Sequence, residues 1–479
     1  MIWLLVWAAL TRLPYLLSQT LLFGFDQGRD ALAVWNFIKT FNLPFIGAPT
    51  SIPGLFIGPG WYYFLAPAYW LFQGNPIGGA WLMFCLYLAA IILTYKFLGA
   101  MEAIIISLAP IWTQLATAAQ SPYPIPLLAI ILLIALKKNW HPFLIGIIVG
   151  LSFNFDSALA IFWLTLIPVL IKPKRWLWFL AGNIPAFIPQ LLFELKHNFS
   201  QTRAVIAYFA AGESQQISLG KISTVNQSVM HELSLAVLPD NQELKIIGLA
   251  IILIGLVFLI KQKKIDFWRQ ILILTVVPVI GFWFLHYNPW YSYGLLPLAV
   301  IAVGKILRSL PKPIAWLFLL LLLINSTLKF FHFETIDKAR LAQHKGFLTA
   351  KLQALDYIYT QAGDQSFTSY HYHPEIYDFA YQYLYIWQAF KGKPLPIEFS
   401  YQPGAPSYIP EKESLLKLLP SPDGRRDEPS KIFLIIEKPD NIWHYPFESW
   451  LKQIDFSEIT DKKIIGPELE VWQVQPRSD

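Results

Sequence analysis

Charged residues are missing from long stretches of this chain, and no other feature limits its fold as strongly. None occurs between Lys39 and Lys96, Glu102 and Lys137, Arg175 and Glu194, Lys245 and Lys261, Arg269 and Lys305, or Lys312 and Lys329. A helix that crosses a bilayer needs ~20 mainly apolar residues, and each stretch, counted with its flanking residues, accommodates at least one. Only 14% of all residues are charged and 55% are hydrophobic, whereas an ordinary soluble domain carries about 25% charge. The chain therefore reads as a polytopic α-helical membrane protein. After about Lys329, Lys, Glu, Asp and Arg become frequent and the apolar runs shorten. A boundary there separates a transmembrane domain, residues 1–329, from a soluble domain, residues 330–479.

Met1 to Leu17 is apolar from its first residue and no small-residue cleavage site follows, which reads as an uncleaved anchor. Further spans are expected near 79–95, 101–118, 122–136, 142–155, 157–171, 175–192, 246–260, 268–286, 294–307 and 313–329, about 11 in all. The net charge of +6 gathers in short turns, so it signals topology rather than nucleic-acid binding. Lys137 and Lys138, then Lys172, Lys174 and Arg175, then Lys261, Lys263 and Lys264, then Arg308 and Lys312 should face the cytoplasm. Counting outward from them makes Asp26 to Gly60, Gln120 to Pro124, Asp156, Phe193 to Glu243 and His286 to Tyr293 external. A first outer loop thus covers residues 20–60 and a large one residues 193–244. The C-terminal domain becomes extracytoplasmic, on a plasma-membrane protein. Trp61 to Phe72 is short for a crossing and begins with the aromatic run Trp61-Tyr62-Tyr63, so it reads as an interfacial or re-entrant helix.

The C-terminal domain mixes both periodicities. Leu348, Leu352, Leu355 and Ile358 give Leu341 to Thr360 a helical stripe, while Lys431 to Ile436 reads as a buried strand. A turn at Pro439-Asp440, a Pro422-Asp423-Gly424 loop and the charged run Arg425 to Glu428 complete a small α+β module. Cys85 is the single cysteine, which excludes an internal disulfide or a cysteine-based metal site. His371 and His373 share a spacing that is weak evidence for a metal without a third ligand, so no metal ligand is assigned.

Candidate chemistry gathers in the outer loops. Phe25-Asp26-Gln27-Gly28-Arg29-Asp30 sets two carboxylates and a guanidinium directly after the first span. Leu32, Trp35, Ile38 and Phe41 follow at helical spacing, as in a helix lying in the interface with its apolar face in lipid. Asp26 then sits near a helix N-terminus, where an anion is favoured. The alternative is that Asp26 caps that helix and that Arg29 and Asp30 form a solvated pair. Pro44 to Gly60, rich in Pro and Gly, is shaped for a compact loop covering a cavity. Asp156, between two apolar runs, is either a substrate-binding group or a helix cap. Glu194, Lys196, His197 and Arg203 form a candidate phosphate and donor cluster, with a snorkelling helix flank as the alternative. Tyr291 and Tyr293 either line a sugar or lipid site or belong to an interfacial belt.

Phe25-Asp26-Gln27-Gly28-Arg29-Asp30, Gly58-Pro59-Gly60-Trp61-Tyr62-Tyr63 and Tyr293-Gly294-Leu295-Leu296-Pro297, in this order and sidedness, resemble the GT-C superfamily of membrane glycosyltransferases. The closest likeness is to its family-39 branch of protein O-mannosyltransferases and aminoarabinose transferases. The resemblance implies a polyprenyl-phosphate sugar donor attacked by an acceptor hydroxyl at the outer face, usually with inversion. The acceptor would be a protein, lipid or polysaccharide of the cell envelope. By that likeness Asp26 is the candidate catalytic base, and whether Asp30 shares the role is open; separately, a leaving phosphate needs cations, for which Arg29, Lys196 and Arg203 are the candidates. The family often has Asp-Glu where this chain has Asp26-Gln27, which leaves no cofactor assigned and a divalent metal not indicated. A competing function is a transporter or flippase of lipid-linked or polar solutes. A third is a GT-C-like protein that has lost catalysis and serves envelope assembly.

Overall fold

The computed structural model describes residues 1–210, 218–261, 266–373, 377–405, 408–419, 429–438 and 446–477. The basic turn at Lys263 and Lys264, the Pro422-Asp423-Gly424 loop, the run Arg425 to Glu428 and the Pro439-Asp440 turn lie outside the described residues. The chain divides into two compact units. The first comprises Met1–Leu13, Pro44–Phe64 and Leu82–Phe331, the second Pro14–Leu43, Leu65–Trp81 and His332–Asp479.

The first unit is mainly helical. Among the described residues, four helical stretches are long and apolar enough to cross a membrane: Ile77–Phe97, Pro173–Lys196, Pro289–Ser309 and Lys312–Leu341. Leu219–Val237 with Gln242–Phe258 passes the same test as a pair, bent by 90°. Shorter apolar helices occupy Ile2–Leu17, Ile125–Lys137, Pro142–Ser152, Ser157–Leu170 and Ile273–Phe284. Gly60–Leu71, the expected non-crossing helix, has only 12 residues and contains Pro67. The large loop 193–244 is mostly helix, Ser200–Ala210 and Leu219–Val237.

The single span expected over 101–118 is instead two short helices, Ala100–Leu108 and Pro110–Ala116. Pro110 lacks an N–H and forces the residue before it out of the helical region; Ala109 accordingly sits at φ −72°, ψ 148°. The carbonyls stranded by the break need donors. The buried Arg12 guanidinium supplies them, donating to Ser107 O at 3.3 Å and Ile106 O at 3.4 Å. A second buried charge, Glu102, meets Arg308 at 2.8 Å. Glu102 lies in the first turn of its helix and Arg308 in the last turn of Leu296–Ser309. Each therefore sits at the helix end whose dipole favours its sign.

The second unit is built on a five-stranded sheet of order β2-β1-β3-β5-β4. The strands are β1 Phe367–Tyr372, β2 Phe399–Ser400, β3 Lys431–Glu437, β4 Phe456–Gly466 and β5 Leu469–Pro476. β1 pairs in parallel with β2 and β3, while β5 runs antiparallel to both β3 and β4. Leu434, Ile436, Tyr372, Val474 and Trp450 form one core cluster of this unit. The expected helical stripe is the helix Leu348–Ala362, whose Leu348, Leu355 and Ile358 are fully buried.

The helix after the first apolar segment runs Phe25–Thr40. Its apolar face is not laid into lipid as the sequence suggested. Leu32 and Trp35 are buried within the second unit, where the helix packs on Phe379–Phe390, while Phe41 at its far end is exposed. Phe25 meets Phe379 edge-on at 4.8 Å and Trp35 meets Phe390 at 5.8 Å. Gly28 makes this approach possible: a Cβ there would lie 2.6 Å from the Ala380 Cα. An amphipathic period reports that one face is covered, not what covers it.

Candidate functional site

In the second unit, Arg29 clamps both acidic residues of its helix. Its Nη1 meets Asp26 Oδ1 at 2.9 Å, and its Nη2 meets Asp30 Oδ1 at 2.9 Å. The two carboxylates are not equivalent. Asp26 keeps 55% of its side chain exposed and Asp30 only 4%. Asp26 is not the helix cap. Gly24 holds that position, and its N–H donates to Gln27 Oε1 at 2.9 Å. The pair expected between Arg29 and Asp30 is present, but it is buried at its acidic end rather than solvated. Asp30 thus fixes the guanidinium, and Asp26 presents an accessible carboxylate.

In the first unit, the Pro- and Gly-rich loop folds into a hairpin. Gly47 and Ala48 pair with Ile57 at 2.8 and 2.9 Å, and Thr50 N–H donates to Leu55 O at 2.9 Å. Two glutamines hold its returning arm by the backbone of Phe56. Gln190 Nε2 donates to Phe56 O at 3.0 Å, and Gln201 Oε1 accepts from Phe56 N–H at 2.9 Å. Asn154 Oδ1 accepts from Gly60 N–H at 2.9 Å while its amide donates to Ala186 O at 3.3 Å. A Cβ on Gly60 would come within 2.7 Å of the Asn154 side chain, so this close approach needs glycine.

The hairpin forms one wall of a cavity of about 370 Å³. Ser51, Gln190, Tyr208, His286 and Tyr291 are among its polar groups, and Phe153, Ile161, Phe187 and Phe284 supply much of its apolar surface. A second opening of about 410 Å³ shares Leu55, Phe187, Gln190 and Val205 with it and reaches the exposed Leu191 and Ile206. Asp156 stands at the start of Ser157–Leu170, whose first residues line the cavity. Its Oδ1 accepts from Ala158 N–H at 2.9 Å, so the capping reading holds for one oxygen. The other oxygen, Oδ2, is buried without a hydrogen-bond partner. A buried polar atom left unpaired is costly unless something else satisfies it.

The cluster expected from Glu194, Lys196, His197 and Arg203 does not converge. The Glu194 carboxylate is consumed in capping Ser200–Ala210, accepting from Gln201 N–H at 2.9 Å, Thr202 N–H at 3.0 Å and Thr202 Oγ1 at 2.6 Å. It lies in the wall of the wider opening. Lys196 and Arg203 follow wall residues Glu194 and Gln201 by two positions, which turns them to the opposite face of each helix, and both are exposed. His197 stacks on Phe193 at 4.0 Å. Tyr291 lines the cavity, whereas Tyr293 is buried against Tyr123 at 5.9 Å. Gln190 and Gln201 were not singled out from sequence. Gln190, a polar residue enclosed by Pro189 and Leu191 in a charge-free stretch, was the available signal. In the second unit, His371 and His373 each face a carboxylate, Asp378 and Glu437 respectively.

Comparison with known proteins gives no sequence-level relative: no protein-family profile and no curated protein matches the chain. Solved structures do match. The chain superimposes with a TM-score of 0.58 at 11% identity on ArnT from Cupriavidus metallidurans bound to undecaprenyl phosphate, covering 98% of each chain. The apo form of the same protein gives 0.57 at 11% identity, covering 98% of this chain and 97% of that one. ArnT is an aminoarabinose transferase of the GT-C type, and the chain described here shares the fold of ArnT.

Proposed function

We propose that this chain is a glycosyltransferase that moves a sugar from a polyprenyl-phosphate donor to an acceptor hydroxyl at the outer face of the plasma membrane. The observation that carries this reading is its fold, which matches over 98% of its length a protein solved with undecaprenyl phosphate bound. The apolar walls of the paired openings in the first unit suit an isoprenoid tail, and the polar groups Ser51, Gln190, His286 and Tyr291 suit its headgroup. Asp156, which caps the helix whose Ser157 and Ala158 line that cavity, holds this wall in place.

Asp26 acts as the base. It takes the proton of the acceptor hydroxyl as that oxygen attacks the anomeric carbon. The bond from the anomeric carbon to the phosphate oxygen breaks, and polyprenyl phosphate leaves with the electron pair. Attack opposite the leaving group inverts the anomeric centre. Arg29, held by Asp30, carries a guanidinium of the kind that stabilises phosphate charge. The exposed Lys196, His197 and Arg203 are left out of this assignment.

Incubating membranes that contain the protein with a panel of polyprenyl-phosphate sugars tests the reading. At least one donor should release polyprenyl phosphate in an acceptor-dependent way, and Ala158→Trp, which fills the cavity, should remove that release. Release from no donor, or full release by Ala158→Trp, refutes it. The orientation has its own test. Cys85 is the single native cysteine, so cysteines placed singly at exposed positions such as Lys417 in a Cys85→Ser background report sidedness. Impermeant thiol reagents should label them on intact cells; labelling only after lysis would reverse the assigned topology.

A further inference from the structure

The second unit holds a cavity of its own, about 320 Å³, for which the transfer reaction has no use. Gln382, Ser400, Ala405, Tyr408, Lys412 and Glu413 line it. Gln382 comes from the helix Phe379–Phe390 and is fully buried. Its Nε2 donates to Phe399 O at 2.9 Å and to Asp378 Oδ2 at 3.1 Å. Those acceptors fix which end of the amide is nitrogen. The oxygen, Oε1, is left buried with no partner. A folded chain tolerates such an atom poorly, and a ligand that brings a donor relieves it.

The remaining groups alternate between donors and acceptors. Lys412 Nζ gives one hydrogen to Phe399 O at 2.7 Å and, while protonated, has two more to offer. Ser400 Oγ donates to Gln402 O at 2.5 Å, which leaves its lone pairs available. Tyr408 donates its hydroxyl to Asp378. Its ring lies 5.0 Å from Tyr377 and 5.3 Å from Tyr401, giving the site an aromatic side. Charge does not favour an anion: the Lys412 ammonium already answers to the Asp378 and Glu398 carboxylates, and Glu413 turns its carboxylate to Lys417 at 2.9 Å. A purely apolar ligand would leave the amide oxygen unsatisfied. A neutral ring bearing several hydroxyls, each able to give and accept, meets all of these groups, and its C–H face suits an aromatic wall.

We propose that this cavity binds a saccharide unit, the Gln382 amide oxygen accepting from one hydroxyl and the Lys412 ammonium donating to another. The site goes beyond the transfer reaction and does not require it. The same chemistry is presented by a free sugar and by the exposed glycan of a lipid, so both belong in the test. The full chain, in nanodiscs free of sugar-based detergent, is examined by saturation-transfer NMR. One arm uses a panel of free mono- and disaccharides, the other vesicles carrying a glycolipid. Binding is expected in at least one arm, and Ala405→Phe, which fills the cavity without touching its hydrogen bonds, should weaken it about tenfold or more.

Lys412→Met should weaken binding by a similar factor. Burial lowers the Lys412 pKa to about 8, against the opposing pull of Asp378 and Glu398. Binding should therefore fall as the pH rises through that value, and the fall should vanish in Lys412→Met. A lysine whose folded pKa is depressed costs stability in full below about pH 8 and loses that cost only as the pH rises past its ordinary value, so Lys412→Met should fold at neutral pH, which its thermal-unfolding midpoint checks. No binding in either arm, or binding indifferent to Ala405→Phe, overturns the inference. Asp26→Asn should bind like the native protein, so failure here and failure of the transferase reading are told apart.

Discussion

Replacing Asp26 with Asn should abolish sugar transfer while the protein folds and inserts normally. A positioned base contributes ~10²–10⁴-fold to a rate, and an amide of the same shape cannot accept the proton. The fold should survive because Asp26 is the exposed member of the trio. The bond from Arg29 to Asp30 at 2.9 Å does not depend on it, and the helix is capped by Gly24 with Gln27 instead. Initial rates of polyprenyl phosphate release, compared with expression and thermal aggregation of the purified variant, check both halves. A variant that retains native turnover refutes the base. Asp30→Asn should behave differently. It leaves the Arg29 guanidinium without its buried anchor, so donor affinity and protein stability should fall together.

Gly28→Leu should destabilise the second unit by about 3 kcal/mol or more, at or beyond the upper end of ordinary overpacking. The obstacle is backbone: the Ala380 Cα and the Phe379 carbonyl carbon each lie 2.6 Å from where a Cβ would stand. No rotamer relieves such a clash, so the helices Phe25–Thr40 and Phe379–Phe390 must separate. Separation exposes Leu32 and Trp35 and shifts the turn that carries Asp26, Arg29 and Asp30. Limited proteolysis and a thermal-unfolding midpoint should both show the loss, with Gly28→Ala intermediate. A Gly28→Ala protein as stable as the native one would show that the approach tolerates a side chain.

Much of the fold was readable before any coordinates. Charge-free stretches marked most of the apolar helices, the shift in texture after Lys329 marked a domain of different character, and the continuous apolar run after Lys431 marked a buried strand. The break at Ala109 was also legible in principle, since Pro110 cannot continue a helix from its own N–H. Hydropathy averages across it and so shows one continuous apolar segment. The candidate site was legible by residue type only. Asp26, Arg29, Asp30 and Asp156 were singled out, but sequence could not distinguish the exposed carboxylate from the buried one. It also grouped Glu194 with Lys196, although residues two apart on a helix face away from each other, and with Arg203, which stands on the next helix.

The missing charges decided that this chain is built on helices suited to a membrane, because an uncompensated charge in an apolar medium is too costly to retain. That decision is local and can be taken one stretch at a time. Only tertiary structure decided what lies against each helix face: that Gly28 admits Ala380, that two glutamines hold the Phe56 backbone at a cavity wall, and that Asp156 keeps one oxygen without a partner. Hydropathy and periodicity record how strongly a residue avoids water. They carry no record of its neighbour, and the chemistry proposed for this protein depends on neighbours.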